Sequence, residues 1–233
     1  FGHGHLGLSL GAAMVHTKNN GISLDSDLDS PFLGPSFSDD FIEAILKECK
    51  LNYRKVDDIS TNVAKLLTEQ KIIGWFQGMG EVGARALGSR SILADPRKIG
   101  NRDRVNKVVK QRELWRPFCP SILEDSAKEY FKGCTKSPYM TMTFDSIPEI
   151  ESTIPAVIHI DKTVRPQTVN KNQNPLFYKM LKQFYELTGV PAILNTSFNV
   201  KGEPIVHHPL DAVRCFYSNG LDVLAIGNFI LEK

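Results

Sequence analysis

An apolar run of strand length, Ile72-Ile73-Gly74-Trp75-Phe76, begins the part of the chain where helices and strands alternate. It leads into a segment with four glycines, Gln77-Gly78-Met79-Gly80-Glu81-Val82-Gly83-Ala84-Arg85-Ala86-Leu87-Gly88. A second apolar run, Ser91-Ile92-Leu93-Ala94, then ends at Asp95-Pro96. Because glycine lets backbone N–H groups approach an anion, segment 77–88 is interpreted as a strand-to-helix loop that binds phosphate, or as a tight turn that needs positive φ.

Outward from this segment, the apolar periodicity predicts further helices and strands. The clearest helix is Pro175–Thr188, because Pro175 suits its first turn and Gly189 suits its end. Helices are also predicted over 39–51 (with Ser38 as N-cap), 57–70, 101–111 and 209–219, and strands over 139–144, 156–160, 190–194, 223–226 and 229–231. This order predicts an α/β fold of the α+β type, with a mixed β-sheet and flanking helices.

The composition is that of a globular protein. Of 233 residues, 42% are hydrophobic and 23% charged, which excludes a disordered tail or a collagen-like fibre. No apolar run approaches the roughly 18–20 residues that span a bilayer, so we expect a cytoplasmic protein without a membrane partner. The chain begins with Phe1 and is expected to be a piece of a longer protein. Free thiols in a reducing compartment are expected at the four cysteines, Cys49, Cys119, Cys134 and Cys215.

Basic residues are concentrated between Arg85 and Arg116, where ten of them stand against three acidic residues. Such a segment indicates an anionic ligand or a solvated helix face. Arg85, Arg90, Arg116 and Arg165 lie beside apolar residues, so each either forms a buried ion pair or holds phosphate or carboxylate oxygens. Together with Lys110, these arginines favour a site for a polyanion.

A polar segment, Asn195-Thr196-Ser197-Phe198-Asn199, follows the strand predicted over 190–194. Ligand contacts in α/β folds are commonly found at such a place, although a turn that satisfies only its own backbone would have the same composition. The histidines carry weaker signals: His3 and His5 could be metal ligands, a tag remnant or neither. No spacing of His, Cys and Asp predicts a zinc site.

A set of short motifs recurs in order along residues 32–233. They are 74–78, Glu81, 83–88, 90–96, 116–118, 164–167, 174–175, 194–199, 202–205, 220–222 and 226–228. In this order they resemble the C-terminal domain of the O-carbamoyltransferases, a family that includes nodulation enzymes and antibiotic-tailoring enzymes.

The resemblance implies a two-part enzyme. Its C-terminal domain has a YrdC-like fold, a twisted mixed β-sheet with flanking helices, and converts carbamoyl phosphate and Mg-ATP into carbamoyl adenylate. A Kae1-like N-terminal domain with an actin/hexokinase-type fold passes the carbamoyl group to a hydroxyl of an acceptor. Residues 1–34 would be the tail of that domain, 35–60 a helical linker and 61–233 the YrdC-like domain.

The resemblance also implies roles for individual residues. Carbamoyl phosphate would be held by Lys110, Arg116, Arg165, Asn195 and Ser197, the first three of these acting as catalytic residues. Nucleotide or phosphate would be held by Arg85, Gly88, Arg90 and Asn199. ATP and its Mg²⁺ are the expected cofactors, whereas Fe²⁺ or another metal belongs to the N-terminal domain, and a homodimer is possible. The alternatives are a threonylcarbamoyl-adenylate-type synthase, an RNA-binding module of the same fold and a non-catalytic interaction domain. Against the RNA-binding module, the sequence offers few exposed aromatic residues among its basic residues.

Overall fold

The computed structural model describes residues 5–23 and 30–233. Its α-helices are α1 (His5–Asn19), α2 (Asp39–Glu48), α3 (Ile59–Thr68), α4 (Ile99–Arg104), α5 (Ala127–Tyr130), α6 (Pro175–Thr188) and α7 (Pro209–Ser218). Its strands are β1 (Arg54–Lys55), β2 (Ile73–Phe76), β3 (Arg90–Ala94), β4 (Cys119–Leu123), β5 (Phe144–Asp145), β6 (Thr163–Val164), β7 (Gln167–Val169), β8 (Ala192–Ser197), β9 (Val223–Ile226) and β10 (Phe229–Glu232). A π-helix, Val105–Val109, continues α4.

Eight strands form one mixed sheet in the order β1-β10-β9-β2-β3-β8-β4-β7. At its centre, β2 runs parallel to β9 and antiparallel to β3, while β8 is antiparallel to both β3 and β4. Strands β2, β3 and β4 are buried along their whole length because helices and loops cover the sheet. The mixed sheet with flanking helices confirms the predicted fold class.

Helix α6 shows how local sequence sets the boundaries of an element. The side chain of Asn174 accepts a hydrogen bond from the backbone N–H of Phe177 at 3.1 Å, and Pro175 occupies the first turn. Gly189 ends the helix in the left-handed region with φ of 72°. Helix α6 packs against α3, and its buried face contributes Phe184 to the main core.

The stretch interpreted as a helical linker contributes to this same core. Ser38 caps α2 as predicted, and Ile42 and Leu46 of α2 are buried in the main cluster. Strand β1 then extends the sheet, with Arg54 paired opposite Ile230 of β10.

Several predicted elements differ from the structure. Residues 139 and 140 form a turn and a bend, 141–143 are irregular, and only Phe144–Asp145 is a strand. Residues 155–157 form a 3₁₀ turn in place of the predicted strand over 156–160. The helix predicted over 101–111 is α4 followed by the π-helix, and Lys110 N–H bonds the carbonyl of Val105 at 2.8 Å. The segment 24–29, His3 and the side chain of His5 lie outside the described residues. Within the described residues, no helix is long and apolar enough to cross a membrane.

Candidate anion-binding site

The glycine-rich segment 77–89 connects β2 to β3, so the prediction of a strand-to-helix loop is wrong. The loop folds around a carboxylate of its own. Oε1 of Glu81 accepts hydrogen bonds from the backbone N–H groups of Leu87 at 2.6 Å, Arg90 at 3.2 Å and Ser89 at 3.3 Å. Glu81 therefore occupies these three N–H groups, and only that of Leu87 lies in segment 77–88, the segment interpreted from the sequence as a phosphate-binding loop or a tight turn.

Gly88 is buried beneath α6. Its φ is +104°, and a Cβ atom at this position would lie 2.4 Å from the Phe177 ring. Its carbonyl oxygen accepts hydrogen bonds from Nε1 of Trp75 at 2.9 Å and Nδ2 of Asn174 at 3.1 Å. Glycine is needed here for close packing against α6.

Arg90 is directed into the protein and does not join the other predicted arginines. Its guanidinium donates to the carbonyl oxygens of Gln77 at 2.8 Å, Pro35 at 3.0 Å, Gly78 at 3.1 Å and Ser89 at 3.2 Å. It lies 3.7 Å from the centroid of the Phe76 ring, and burial lowers the pKa of Arg90 to about 10. Its side chain thus joins both ends of the glycine-rich loop to the segment before α2.

Three other arginines line one cavity of about 140 Å³: Arg85, Arg112 and Arg165. Nε of Arg85 and Nε of Arg165 are buried and have no hydrogen-bond partner. Burial, together with the positive charge of Arg165, lowers the pKa of Arg85. Cations held close together with unsatisfied donors favour an anionic ligand between them.

Arg112 reaches this cavity although the sequence assigned it no role beyond the basic segment. Its Nε donates to Oδ1 of Asn106 at 2.7 Å, and its guanidinium lies 4.7 Å from the centroid of the Phe118 ring. Burial and the charge of Arg116 lower its pKa. The sequence signal that could have identified Arg112 is its position two residues after Lys110, which caps the π-helix.

Asn195 lies on β8, paired opposite Leu93 of β3 and Cys119 of β4. It is only 1% exposed, and its Nδ2 contacts the carbonyl of Ala86 at 3.1 Å and Oγ of Ser121 at 2.9 Å. Its Oδ1 has no partner although the residue lines the arginine cavity. One buried acceptor and two buried donors without partners therefore belong to residues that line this cavity.

Lys110 is buried at the end of the π-helix and holds the segment that follows β8. Its Nζ contacts the Ser197 carbonyl, Oγ of Ser197 at 3.2 Å, the Asn199 carbonyl at 3.1 Å and Oδ1 of Asn199 at 2.5 Å. Burial, reinforced by the charge of Arg112, lowers the pKa of Lys110 to about 7. The structure thus brings together the predicted Lys110, Ser197 and Asn199.

A second cavity of about 240 Å³ adjoins the arginine cavity, because Arg112 and Ser197 line both. Lys110, Asn199, Lys201 and Arg116 also line this second cavity. The Arg116 side chain is 49% exposed and pairs with Glu113 at 3.0 Å. We call the cavity lined by Arg85, Arg112 and Arg165 the inner cavity and the second cavity the outer cavity. Arg165 therefore lines the inner cavity and Arg116 the outer one.

Metal ligands do not gather at either cavity. Among the described residues, no three His, Cys, Asp or Glu side chains lie close enough together to hold a metal ion. The inner cavity is lined by cations, amides, hydroxyls and a thiol, with no carboxylate. These residues suit phosphate and carbonyl oxygens better than a bare cation.

A family model described as "Carbamoyltransferase C-terminus" matches residues 64–233. Nodulation protein NolNO of Sinorhizobium fredii is 38% identical over 97% of this chain and 34% of its own length. The 3'-hydroxymethylcephem-O-carbamoyltransferase of Amycolatopsis lactamdurans is 35% identical over 68% of this chain and 30% of its own length. The chain thus spans about a third of the length of these two relatives.

Two solved structures share the fold. HypF in a phosphate- and nucleotide-bound form superposes with a TM-score of 0.53 and 17% identity, over 77% of this chain and 22% of its own. Sua5 of P. abyssi complexed with L-threonine superposes with a TM-score of 0.51 and 14% identity, over 72% of this chain and 46% of its own. These matches show a YrdC-like fold.

Proposed function

The chain belongs to the carbamoyltransferase C-terminus family, and we propose that it binds carbamoyl phosphate and Mg-ATP and joins them into carbamoyl adenylate. The observation that carries this proposal is the convergence of Arg85, Arg112 and Arg165 on one cavity of about 140 Å³. Their guanidinium groups can hold the oxygens of a small phosphorylated ligand in bidentate geometry.

The residues of the inner cavity include groups suited to both parts of carbamoyl phosphate. Nε–H of Arg85 and Nε–H of Arg165 require acceptors, which the phosphate oxygens supply. Oδ1 of Asn195 requires a donor, and the amide group of carbamoyl phosphate has two N–H bonds. Carbamoyl phosphate carries both kinds of group, phosphate oxygens that accept hydrogen bonds and an amide that donates them.

The outer cavity is the proposed place for the phosphates of ATP. Lys110, Arg112, Arg116 and Lys201 line it, and Arg112 also lines the inner cavity. This arrangement would set the α-phosphorus of ATP beside the carbamoyl group. Mg²⁺ would enter with ATP as part of the Mg-ATP substrate. In this scheme Asn199 acts on the outer cavity indirectly, because its Oδ1 accepts a hydrogen bond from Lys110. Gly88 and Arg90 would not contact the nucleotide and would act by holding the loop 77–89 in place.

The reaction requires water and releases two phosphate products. Water converts carbamoyl phosphate to carbamate and inorganic phosphate, and a carbamate oxygen then attacks the α-phosphorus of ATP. The new O–P bond forms as the bond to pyrophosphate breaks. The protein would contribute positioning and charge stabilisation by its arginines, and no side-chain nucleophile is required.

Transfer to an acceptor is also part of the proposal. The chain covers 34–42% of the length of its first three curated relatives. We infer that the acceptor hydroxyl receives the carbamoyl group on a Kae1-like transfer domain that holds its own metal. A homodimer and a cytoplasmic location remain predictions from the sequence.

The test is pyrophosphate release from Mg-ATP by the intact protein, with and without carbamoyl phosphate. A parallel reaction contains threonine and bicarbonate. We expect release that depends on carbamoyl phosphate and is lost in Arg165→Ala. Arg214→Ala is the matched control, because Arg214 is exposed and pairs with Glu203 at 3.5 Å outside both cavities. Release with threonine and bicarbonate alone would assign the synthase reaction instead, and release that persists in Arg165→Ala would remove the site assignment.

A further inference from the structure

A thiol lies among the arginines of the inner cavity and has no part in the proposed reaction. Cys119 is the first residue of β4 and lines the cavity together with Arg85, Arg112 and Arg165. Its Sγ accepts a hydrogen bond from Nη2 of Arg165 at 3.3 Å. The residue is 8% exposed, and this exposed part is at a cavity wall.

A second residue of this cavity carries a buried acceptor without a partner. Asn195 is 1% exposed, and its Oδ1 has no hydrogen-bond partner although the residue lines the same cavity as Cys119. A buried acceptor without a partner is costly unless a ligand or water fills the space beside it.

The other cysteines differ from Cys119 in their surroundings. Cys134 and Cys215 are buried, and burial raises the pKa of both thiols, that of Cys215 to about 11. Cys49 is exposed at the end of α2, outside both cavities. Cys119 is also buried, and it differs from Cys134 and Cys215 in its electropositive surroundings, which favour reactive thiols.

We propose that Cys119 is a modification site at which hydrogen peroxide forms a sulfenic acid, and that this modification blocks anion binding in the inner cavity. The sulfur attacks one peroxide oxygen, an S–O bond forms and the O–O bond breaks. The leaving hydroxide takes the thiol proton and becomes water, so the sulfur is oxidised by two electrons and the peroxide is reduced. The added oxygen lies beside Arg165, where an oxygen of the ligand would otherwise lie.

The test compares alkylation rates of the individual cysteines in the intact protein. The protein is treated with iodoacetate, which is anionic, or with iodoacetamide, which is neutral, and each cysteine is quantified by mass spectrometry of peptides. The arginines concentrate anions, so we expect the ratio of the iodoacetate rate to the iodoacetamide rate to be about tenfold higher at Cys119 than at Cys49. Inorganic phosphate should slow the reaction at Cys119 and leave Cys49 unchanged. Arg165→Met should lower the ratio at Cys119 alone, and Arg85→Met serves if Arg165→Met does not fold.

Peroxide treatment with dimedone as trap gives the second measurement. We expect dimedone on Cys119 before Cys134 and Cys215, and weaker phosphate binding in the modified protein than in Cys119→Ser treated in the same way. Equal reagent ratios at Cys119 and Cys49, no protection by phosphate, or absence of dimedone from Cys119 would each overturn the proposal. Because these measurements need only the anion cavity, they are independent of whether the protein forms carbamoyl adenylate.

Discussion

Replacing Arg165 with Met should weaken anion binding and, at the same time, stabilise the empty protein. The change keeps much of the aliphatic stem and removes one positive charge from the inner cavity. Without ligand, burial and, after it, repulsion by Arg165 lower the pKa of Arg85, and Nε of each arginine lacks a partner. The two effects have opposite signs because the ligand supplies the charge that the empty cavity lacks.

The expected magnitudes follow from these contacts. A hydrogen bond to a charged group contributes about 1.5–3 kcal/mol, so the dissociation constant for carbamoyl phosphate should rise about 10- to 150-fold. Repulsion between two partly solvated arginines is screened, so its removal should stabilise the empty protein by at most about 1 kcal/mol. For a chain of this size that corresponds to a rise in Tm of about 2–4 °C.

The assay pairs calorimetric titration of carbamoyl phosphate with thermal unfolding in buffer free of phosphate. Arg214→Met is the control and should change neither quantity appreciably, since Arg214 is 65% exposed in its side chain. A fall in Tm together with unchanged affinity would refute the reasoning, because it would make Arg165 a structural residue. Weaker binding with a large fall in Tm would show that the two arginines do not repel each other in the empty cavity.

Three further predictions concern the frame of the site. Gly88→Ala should lower the free energy of unfolding in urea by about 3 kcal/mol. The new Cβ would overlap the Phe177 ring, and alanine is strained at the positive φ of this residue. A loss below about 1 kcal/mol would contradict this packing. Arg90→Met should reduce the free energy of unfolding by several kcal/mol, because a buried guanidinium loses its hydrogen bonds to four carbonyl oxygens. Amide hydrogen exchange in the loop 77–89 should accelerate. Exchange protection equal to that of the wild-type protein would contradict this role of Arg90. The pKa of Lys110 is lowered from 10.5 to about 7 in the folded protein, so between these values the unfolded chain holds the extra proton and the free energy of unfolding should rise with pH. Lys110→Met should remove that rise in urea unfolding between pH 7 and 9.5, and an unchanged slope would show that Lys110 keeps its ordinary pKa.

Local sequence was sufficient for the elements whose patterns act within a few residues. Pro175–Thr188 was predicted with its observed bounds, because its apolar stripe, first-turn proline and final glycine all act locally. Strand β8 was predicted too short, since Asn195, Thr196 and Ser197 are polar and indicated a loop. They remain in the sheet because β3 pairs with all three residues and β4 pairs with Asn195.

The sequence by itself determined the fold class, the family and most of the site's residue types, because hydrophobic periodicity and ordered motifs are properties of the chain. Only the tertiary structure decided which charged groups share a space. It directed Arg90 to backbone carbonyls and left Arg116 half exposed, while bringing Arg112 beside Arg85 and Arg165. The physical reason is that a guanidinium binds whichever oxygens the folded backbone brings within reach. Carbonyls from Pro35 and Gln77 meet only after β2, β3 and the segment before α2 have packed together.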